Sequence, residues 1–494
     1  MAPEEKDDIA RRAVSGSAYS IAASAVTLSL GFVRATLMAR LLLPEYFGVT
    51  TLALFYLNFA GQIRSLGIDS ALIHRRDEET DQAVLATYFT LRLALIGISI
   101  LILLLLFPLL ARFYPQMPAL LPVLAAFTGI SVVKGFNSVQ MTVLSKQLAF
   151  RQLATTDILS SATMTLVGPA LAWSGFGIWS IVAEQFSGVF VRAAAIWLLY
   201  RAWRPRLGWD RRAARWFWDY GLKMWTGSNL SFLLDRFDDW WIGSFLGSSP
   251  LGFYSRAYEF AGYPRRVVAN PIISVFFPAF ARLQDDRLRL SRAFFRATSL
   301  MVRVGALFSL LFIFTAPEFI ELFLGDKWLP MRLTFQLMIL YTLLDPLSVA
   351  ASSLLAATGY PGIIARTRLA QAAIFLPAVI LLGSRYGIDG VAVAADLMIT
   401  AGAVALFAYT RRVADYSQRA LWFWPLFALA VAALPVVALA PVWLAMSLWL
   451  ALLVKAVVMT ALYGFILWLA ERQQLLTGWQ MIWGLIKPAA GKLI

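Results

Sequence analysis

Cysteine is absent and histidine occurs once, at His74. Without thiols there is no disulfide framework, thiolate nucleophile or thiolate metal site, and a single imidazole leaves no His-paired catalytic group. Charge is also scarce: Asp, Glu, Lys and Arg make up 14% of the 494 residues against 60% hydrophobic, and the mean hydropathy is +0.71. That leaves too little polar surface to dissolve soluble domains of this total length. A GxxxxGK[ST] phosphate loop is missing, since the only Gly-Lys pair, Gly491–Lys492, is followed by Leu493. Neither direct ATP hydrolysis nor any cofactor is therefore expected. His74, beside Arg75 and Arg76, reads as a solvated loop residue. The mixed-charge start, Met1–Arg12, precedes an apolar stretch far longer than a signal peptide's core, so no cleaved leader is expected.

What fills the chain instead is apolar runs of about 20 residues, the length that matches a bilayer's hydrocarbon core of roughly 30 Å. Fourteen such spans are expected near 13–39, 47–66, 84–111, 118–144, 155–174, 177–200, 216–246, 257–281, 297–316, 331–358, 363–383, 388–410, 422–440 and 444–470. The fold class is therefore all-α and polytopic. Basic residues concentrate in alternate loops, among them Arg75, Arg76, Lys146, Arg151, Arg201, Arg204, Arg206, Arg211, Arg212, Arg282, Arg287, Arg289, Arg411, Arg412, Lys487 and Lys492. The other loops hold only Arg40, Arg112, Arg256, Lys327, Arg332 and Arg385. This bias of roughly four to one places both termini in the cytoplasm of a multi-pass plasma-membrane protein, because basic loops are retained inside. It also accounts for the net charge of +15, which reads as topology and contact with anionic lipid headgroups rather than nucleic-acid binding.

The stretch Tyr200–Trp216 reads YRAWRPRLGWDRRAARW and resembles a hinge. It divides the chain into a lobe at 1–200 (spans 1–6), a cytoplasmic linker at 201–215, a second lobe at 216–412 (spans 7–12), and spans 13–14 with a tail at 413–494. Leu41–Gly48 (LLLPEYFG) is similar to Phe245–Gly252 (FLGSSPLG), and GFGIWSIVAEQ around Gly177 to RYGIDGVAVAAD around Gly387, at offsets of 204 and 210. Six spans per unit makes these parallel repeats, from which alternating access follows.

Ionisable residues at mid-membrane are costly, so each is a candidate site set against a structural ion pair. The deep cations are Lys134, Arg192, Arg236 and Lys455, with Arg34 toward the outer end of span 1. Facing a shared cavity, they can bind a phosphate group, Arg bidentately and Lys as a point charge. The deep carboxylates are Glu184, Asp235, Asp238, Asp239, Asp345 and Asp396. Glu184 and Arg192, eight residues apart, are expected to share a network on one helix face. Arg236 can neutralise only one of the three span-7 aspartates, and crowded carboxylates take up H⁺ or Na⁺. Asp345 precedes Pro346, which kinks span 10 and suits a gate or cation site. Glu184, Asp238, Asp345 and Asp396 are the candidate ion-coupling residues. No metal site is expected. The Trp-rich aromatic load, including Trp240, Trp241 and Trp443, reads as packing and interfacial anchoring.

Several segments, taken in order, carry a family resemblance: MARLLLPEYFG (Met38–Gly48), SLGIDSALIHRRD (Ser65–Asp77), FRQLATTDILSS (Phe150–Ser161), GFGIWSIVAEQ, WRPRLGW, LKMWTGSNLSFLLDRFDDWWIGSFLG, LGFYSRAYEFAGYP, ISVFFPAFARLQDD and GDKWLP. The chain resembles the polysaccharide-transporter branch of the multidrug/oligosaccharidyl-lipid/polysaccharide exporter superfamily, over about Arg11 to Arg411, and most nearly the colanic-acid type of Wzx flippase. One place departs from that family's pattern: where a basic residue stands three places before the span-7 Asp, this chain has Asp235, with Arg236 one place along. The resemblance implies a two-lobed fold of the drug-exporter kind with two added C-terminal helices. It also implies a flippase, not an enzyme, for undecaprenyl pyrophosphate-linked oligosaccharide repeat units in exopolysaccharide, capsule or O-antigen (lipopolysaccharide) synthesis. Its partners would be that lipid, H⁺ or Na⁺, and a polysaccharide polymerase with its assembly proteins. Two other readings stand beside it: a cation-coupled drug exporter of the same superfamily, which the two extra spans and polysaccharide-type motifs oppose, and a membrane glycosyltransferase or polymerase, for whose chemistry the short outer loops leave no room.

Overall fold

A computed structural model of the chain describes residues 3–64, 66–75, 81–200, 203–273 and 276–486. Of the cytoplasmic-loop cations named above, Arg76, Arg201, Lys487 and Lys492 lie outside these residues, as does the Gly491–Lys492 pair. The described residues form helices and the turns that join them. Continuous apolar runs leave the backbone no partners but its own, and a helix satisfies each N–H and C=O within the segment.

The helices are α1 (Pro3–Leu41), α2 (Pro44–Arg64), a short α3 (Ile68–His74), α4 (Gln82–Phe113), α5 (Leu120–Lys146), α6 (Phe150–Trp173), α7 (Ile178–Ala194) and α8 (Arg211–Trp241). They continue with α9 (Ser248–Ala261), α10 (Asn270–Ile273), α11 (Phe276–Leu283), α12 (Arg287–Phe319), α13 (Arg332–Ala357), α14 (Pro361–Thr410), α15 (Gln418–Ala438), α16 (Ala440–Ala445) and α17 (Leu448–Ile486). Several helix starts are capped by a side chain that accepts from an otherwise orphaned N–H, as Asp81 does from Val84 at 2.8 Å and Asp210 from Ala213 at 2.7 Å.

Among the described residues, nine helices are long and apolar enough to cross a membrane, so the count of fourteen is not confirmed. One of the nine, α14, covers two expected spans, because Gly387 at φ 60°, ψ −140° breaks the rod where a side chain would clash. The expected spans on α2, α6 and α8 carry too many polar residues to meet an apolar criterion. Over the expected span at 257–281 the described residues stay helical apart from a turn at Gly262: α9 is followed by a π-helical stretch at Arg265–Ala269 that runs into α10, and α11 comes after it. Gly262 marks that turn, and Pro264 opens the widened stretch by withholding an N–H. His74 closes α3 rather than lying in a loop, and it is exposed and stacked on Tyr220 at 5.4 Å.

The chain divides into two compact units, Met1–Gly252 and Phe253–Ile494. In the first, α1 packs on α6, α6 on α7, and α2 on α4 and α5; α8 lies against α2, α3 and α4. The expected hinge is strapped down there. Trp203 exchanges bonds with the Gln140 side chain and donates from Nε1 to Gln82 at 2.9 Å. The Gly208 carbonyl accepts from Thr90 at 2.9 Å, and the Asp210 N–H donates to Thr87 at 2.8 Å. Each such bond is worth about 1 kcal/mol net, so amides and hydroxyls on α4 and α5 hold residues 203–210 in place. In the second unit, α13 packs on α12 and α14, and α15 and α17 pack on α12 through Ala306, Leu310, Ala428, Met459 and Tyr463.

The self-similar segments meet in the first unit. A Cβ on Gly48 would fall 1.7 Å from the Ser248 carbonyl oxygen, and one on Gly252 would fall 1.9 Å from that of Pro44. The second pair of similar segments shares a rare backbone state: Gly177 has φ 53°, ψ −130°, close to the values at Gly387.

Candidate functional site

The first unit gathers cations from three helices. Arg64 ends α2, Lys134 sits midway along α5 and Arg192 near the end of α7, and Lys134 lies in the electrostatic field of both arginines. Lys134 is exposed, and among the described residues neither it nor Arg64 has a carboxylate partner. Arg192 pairs with Asp157 of α6 at 2.7 Å, yet its buried Nε makes no hydrogen bond. Arg92 of α4 adds positive field at Arg64 and is held by Asp69 at 3.3 Å. Like charges this close repel, so the arrangement is set to receive an anion.

Glu184 and Arg192 do not share the expected network. Arg34 of α1 takes Glu184 instead, at 3.1 Å. Gly168 of α6 lets Glu184 approach, since a Cβ there would stand 3.1 Å from that side chain. Arg34, expected as a substrate contact, is thus half of a partly buried pair. Sequence reasoning missed Asp157 because it lies only three residues into the expected span, where a carboxylate reads as interfacial.

On α8, Arg236 pairs with Asp239 at 3.0 Å, a one-turn contact. Asp238 accepts from the Asp239 backbone N–H at 3.0 Å. Asp235 and Arg236 are exposed, and Asp239 is buried.

In the second unit most deep charges are compensated. Asp345 of α13 meets Arg265 at 2.6 Å beside an apolar cleft lined by Met301, Phe308, Phe312, Leu343 and Pro346. Lys455 of α17 meets Glu318 of α12 at 2.5 Å, both buried. Arg303 of α12 is clasped by Glu471 at 2.6 Å and by Gln474, and its carbonyl accepts from Tyr463 at 2.8 Å. Glu318 and Glu471 went unnamed in the sequence because they lie just past the ends of the expected spans, whereas Arg265 and Arg303 lie inside theirs and were passed over. Asp396 of α14 differs: it is buried, lacks a cationic partner among the described residues, and has an oxygen with no hydrogen bond. Among the described residues no three His, Cys, Asp or Glu side chains are placed to hold a metal ion.

These features define a polytopic helical membrane protein with charged residues between its helices. Residues 37–333 match the family described as "Polysaccharide biosynthesis protein", and the chain belongs to that family. It is 26% identical over 391 residues to the lipopolysaccharide biosynthesis protein WzxC of Escherichia coli K12, covering 77% of each. It is 27% identical over 316 residues to the succinoglycan biosynthesis transport protein ExoT of Rhizobium meliloti, and that match spans 62% of ExoT's length and 63% of this chain. The structure resembles the lipid II flippase MurJ in an inward closed conformation, with a TM-score of 0.69 at 15% identity over 92% of this chain and 99% of that one. An inward-facing multidrug resistance MATE family transporter of the MOP superfamily gives a TM-score of 0.57 at 16% identity, over 80% of this chain and 94% of that one. The fold expected from the sequence, that of the oligosaccharidyl-lipid and drug exporters, is the fold observed.

Proposed function

We propose that the protein is a flippase that carries polyprenyl (undecaprenyl) pyrophosphate-linked oligosaccharide repeat units from the cytoplasmic to the outer leaflet of the plasma membrane, with both termini cytoplasmic. The observation that carries this reading is the cluster of Arg64, Lys134 and Arg192, where two cations have no carboxylate partner among the described residues. A pyrophosphate brings the missing negative charge, and its oxygens suit Arg forks and a Lys point charge. Dragging a sugar chain through hydrocarbon would cost several kcal/mol per unpaired polar group, and a polar path through the protein removes that cost. Names among the relatives, a lipopolysaccharide biosynthesis protein and a succinoglycan transport protein, support the cargo class.

In this reading Arg34, Arg236 and Lys455 support the path from within ion pairs, while Lys134 and Arg192 meet the substrate. Asp396 leads the ion-coupling candidates over Glu184, Asp238 and Asp345, because a buried carboxylate without a cation is the group a passing H⁺ or Na⁺ can neutralise. The test is flipping in proteoliposomes under imposed gradients, alongside surface polysaccharide in a strain lacking its own transporter. Lys134→Ala should abolish export while protein remains in the membrane, and Asp396→Asn should keep flipping but remove its response to the gradient. Normal export by both Lys134→Ala and Arg192→Ala would remove the pyrophosphate assignment.

A further inference from the structure

Helices α2 and α8 run antiparallel within the first unit. Trp225 Nε1 donates to the Gln62 carbonyl at 2.8 Å at one end of the pair, and Leu52 lies under Gly243 at the other. Between these points Phe55 stacks on Phe59 at 6.3 Å, and Phe232 of α8 packs on them at 5.8 and 6.5 Å. Phe59 remains 52% exposed. An exposed Phe on a membrane helix faces lipid by default, but the neighbours on these faces argue otherwise. Asn58, beside both rings on α2, is exposed and makes no hydrogen bond among the described residues. Asp235 and Arg236, one turn beyond Phe232, are exposed about 16 Å from the end of the helical rod at Leu246, given 1.5 Å per residue. In the flippase reading, which sets Leu246 at the membrane boundary, that depth is mid-bilayer, where charges turned to lipid are not tolerated. The face is therefore wet.

Aromatic rings beside an amide and a carboxylate on a wet face match the chemistry of a sugar. The C–H side of a pyranose is apolar and flat enough to lie on a ring, while its hydroxyls project sideways to polar groups. The rings are held in place. Tyr56, packed edge-on against Phe55 at 5.3 Å, shares a hydrogen bond with Tyr114 at 2.7 Å and accepts from Trp240 at 3.2 Å. Tyr114 in turn bonds Ser244 at 2.5 Å, in the π-helical stretch Ile242–Leu246 that continues α8, which ties α2, the end of α4 and that stretch together. On α2, Arg64 follows Phe59 by five residues, about 7.5 Å along the helix axis and on another face, so the rings and the cation cluster are separate places on the same helix.

We propose that the facing sides of α2 and α8 form a carbohydrate-binding face, with Phe55, Phe59 and Phe232 as the platform for a pyranose and Asn58 and Asp235 as its hydroxyl partners. This rests on the flippase reading and assigns the substrate's sugar to residues distinct from its pyrophosphate. The test uses purified full-length protein in nanodiscs and two probes, undecaprenyl pyrophosphate and undecaprenyl pyrophosphoryl-glucose. The wild type should bind the glycosylated lipid more tightly. Phe59→Leu and Phe232→Leu should each weaken glycosylated-lipid binding about tenfold, the size of a lost ring contact, and leave the bare lipid unchanged. Phe59→Trp should retain it. Asn58→Ala, which removes an exposed side chain without partners, should weaken it several-fold with no change in melting temperature. Equal loss for both lipids, no loss for either, or a wild type indifferent to the sugar overturns the proposal while leaving the pyrophosphate site standing. A wild type that binds neither lipid overturns the flippase reading as well.

Discussion

In the second unit Lys455 sits 2.5 Å from Glu318, and Arg303 is gripped by Glu471, with all four side chains under a tenth exposed. In the first unit Lys134 is exposed, shares its surroundings with Arg64 and Arg192, and has no carboxylate of its own among the described residues. Both sets lie in helices of the membrane domain, and in the sequence they look alike. What separates them is compensation. A buried pair is a bolt between α12 and α17, whereas a group of like charges is a vacancy for something of opposite sign. Depth in a span is thus a poor guide to function until the partner is known.

The largest effect should come from breaking a bolt. Arg303→Ala leaves Glu471 buried and alone, a loss of about 3–5 kcal/mol, visible as a lower melting temperature in detergent and less protein in the membrane. Replacing both partners, Arg303→Met with Glu471→Leu, should recover most of the stability, since an apolar pair of similar volume needs no compensation. If Arg303→Ala melts like the wild type, the contrast between the units collapses.

A smaller shift of opposite sign is expected in the first unit. Lys134→Ala removes repulsion against Arg64 and Arg192, so melting should stay level or rise, by up to about 1 kcal/mol of stability at an effective dielectric near that of water. Lys455→Ala, by contrast, should melt early. The two lysines thus give a direct comparison: one variant that loses export but keeps its fold, and one that loses its fold first.

The smallest effect belongs to the surface. Arg287 at the start of α12 grips Asp415 bidentately, at 2.7 and 2.8 Å. Those hydrogen bonds, ahead of the charge attraction, hold the Asp415 carboxyl below the usual range. Its contribution is present above the ordinary Asp value, about 3.9, and fades as pH falls through the lower folded value. Arg287→Ala should therefore melt slightly below the wild type at pH 7, and the gap should close on acidification toward pH 3.

The class of fold was legible because hydropathy alone separates spans from turns, and Gly387 marked the break in α14. The site was legible only by depth. Lys134 and Arg192 stand out as deep cations, but no pattern within one helix reveals that Asp157 reaches Arg192 from α6 or that Glu318 meets Lys455 across 137 residues. Such pairs are set by how helices pack, and the residues concerned sit near span ends where a charge arouses no suspicion. The stretch 201–215 was only partly legible for a related reason. Gly, Pro and Arg read as a hinge, yet the groups that fasten it, Gln82, Thr87, Thr90 and Gln140, lie on other helices.

The meeting of Gly48 and Gly252 has a property of its own. Gly48 abuts Ser248 while Gly252 abuts Pro44, and the offset of 204 that relates the two segments exchanges 44 with 248 and 48 with 252. The contact is therefore mapped onto itself when the segments swap places, as in the isologous interface of a two-fold homodimer. One polypeptide here embraces its own copy, so neither glycine can acquire a side chain alone: a methyl group on one would prise apart the mirror contact made by the other.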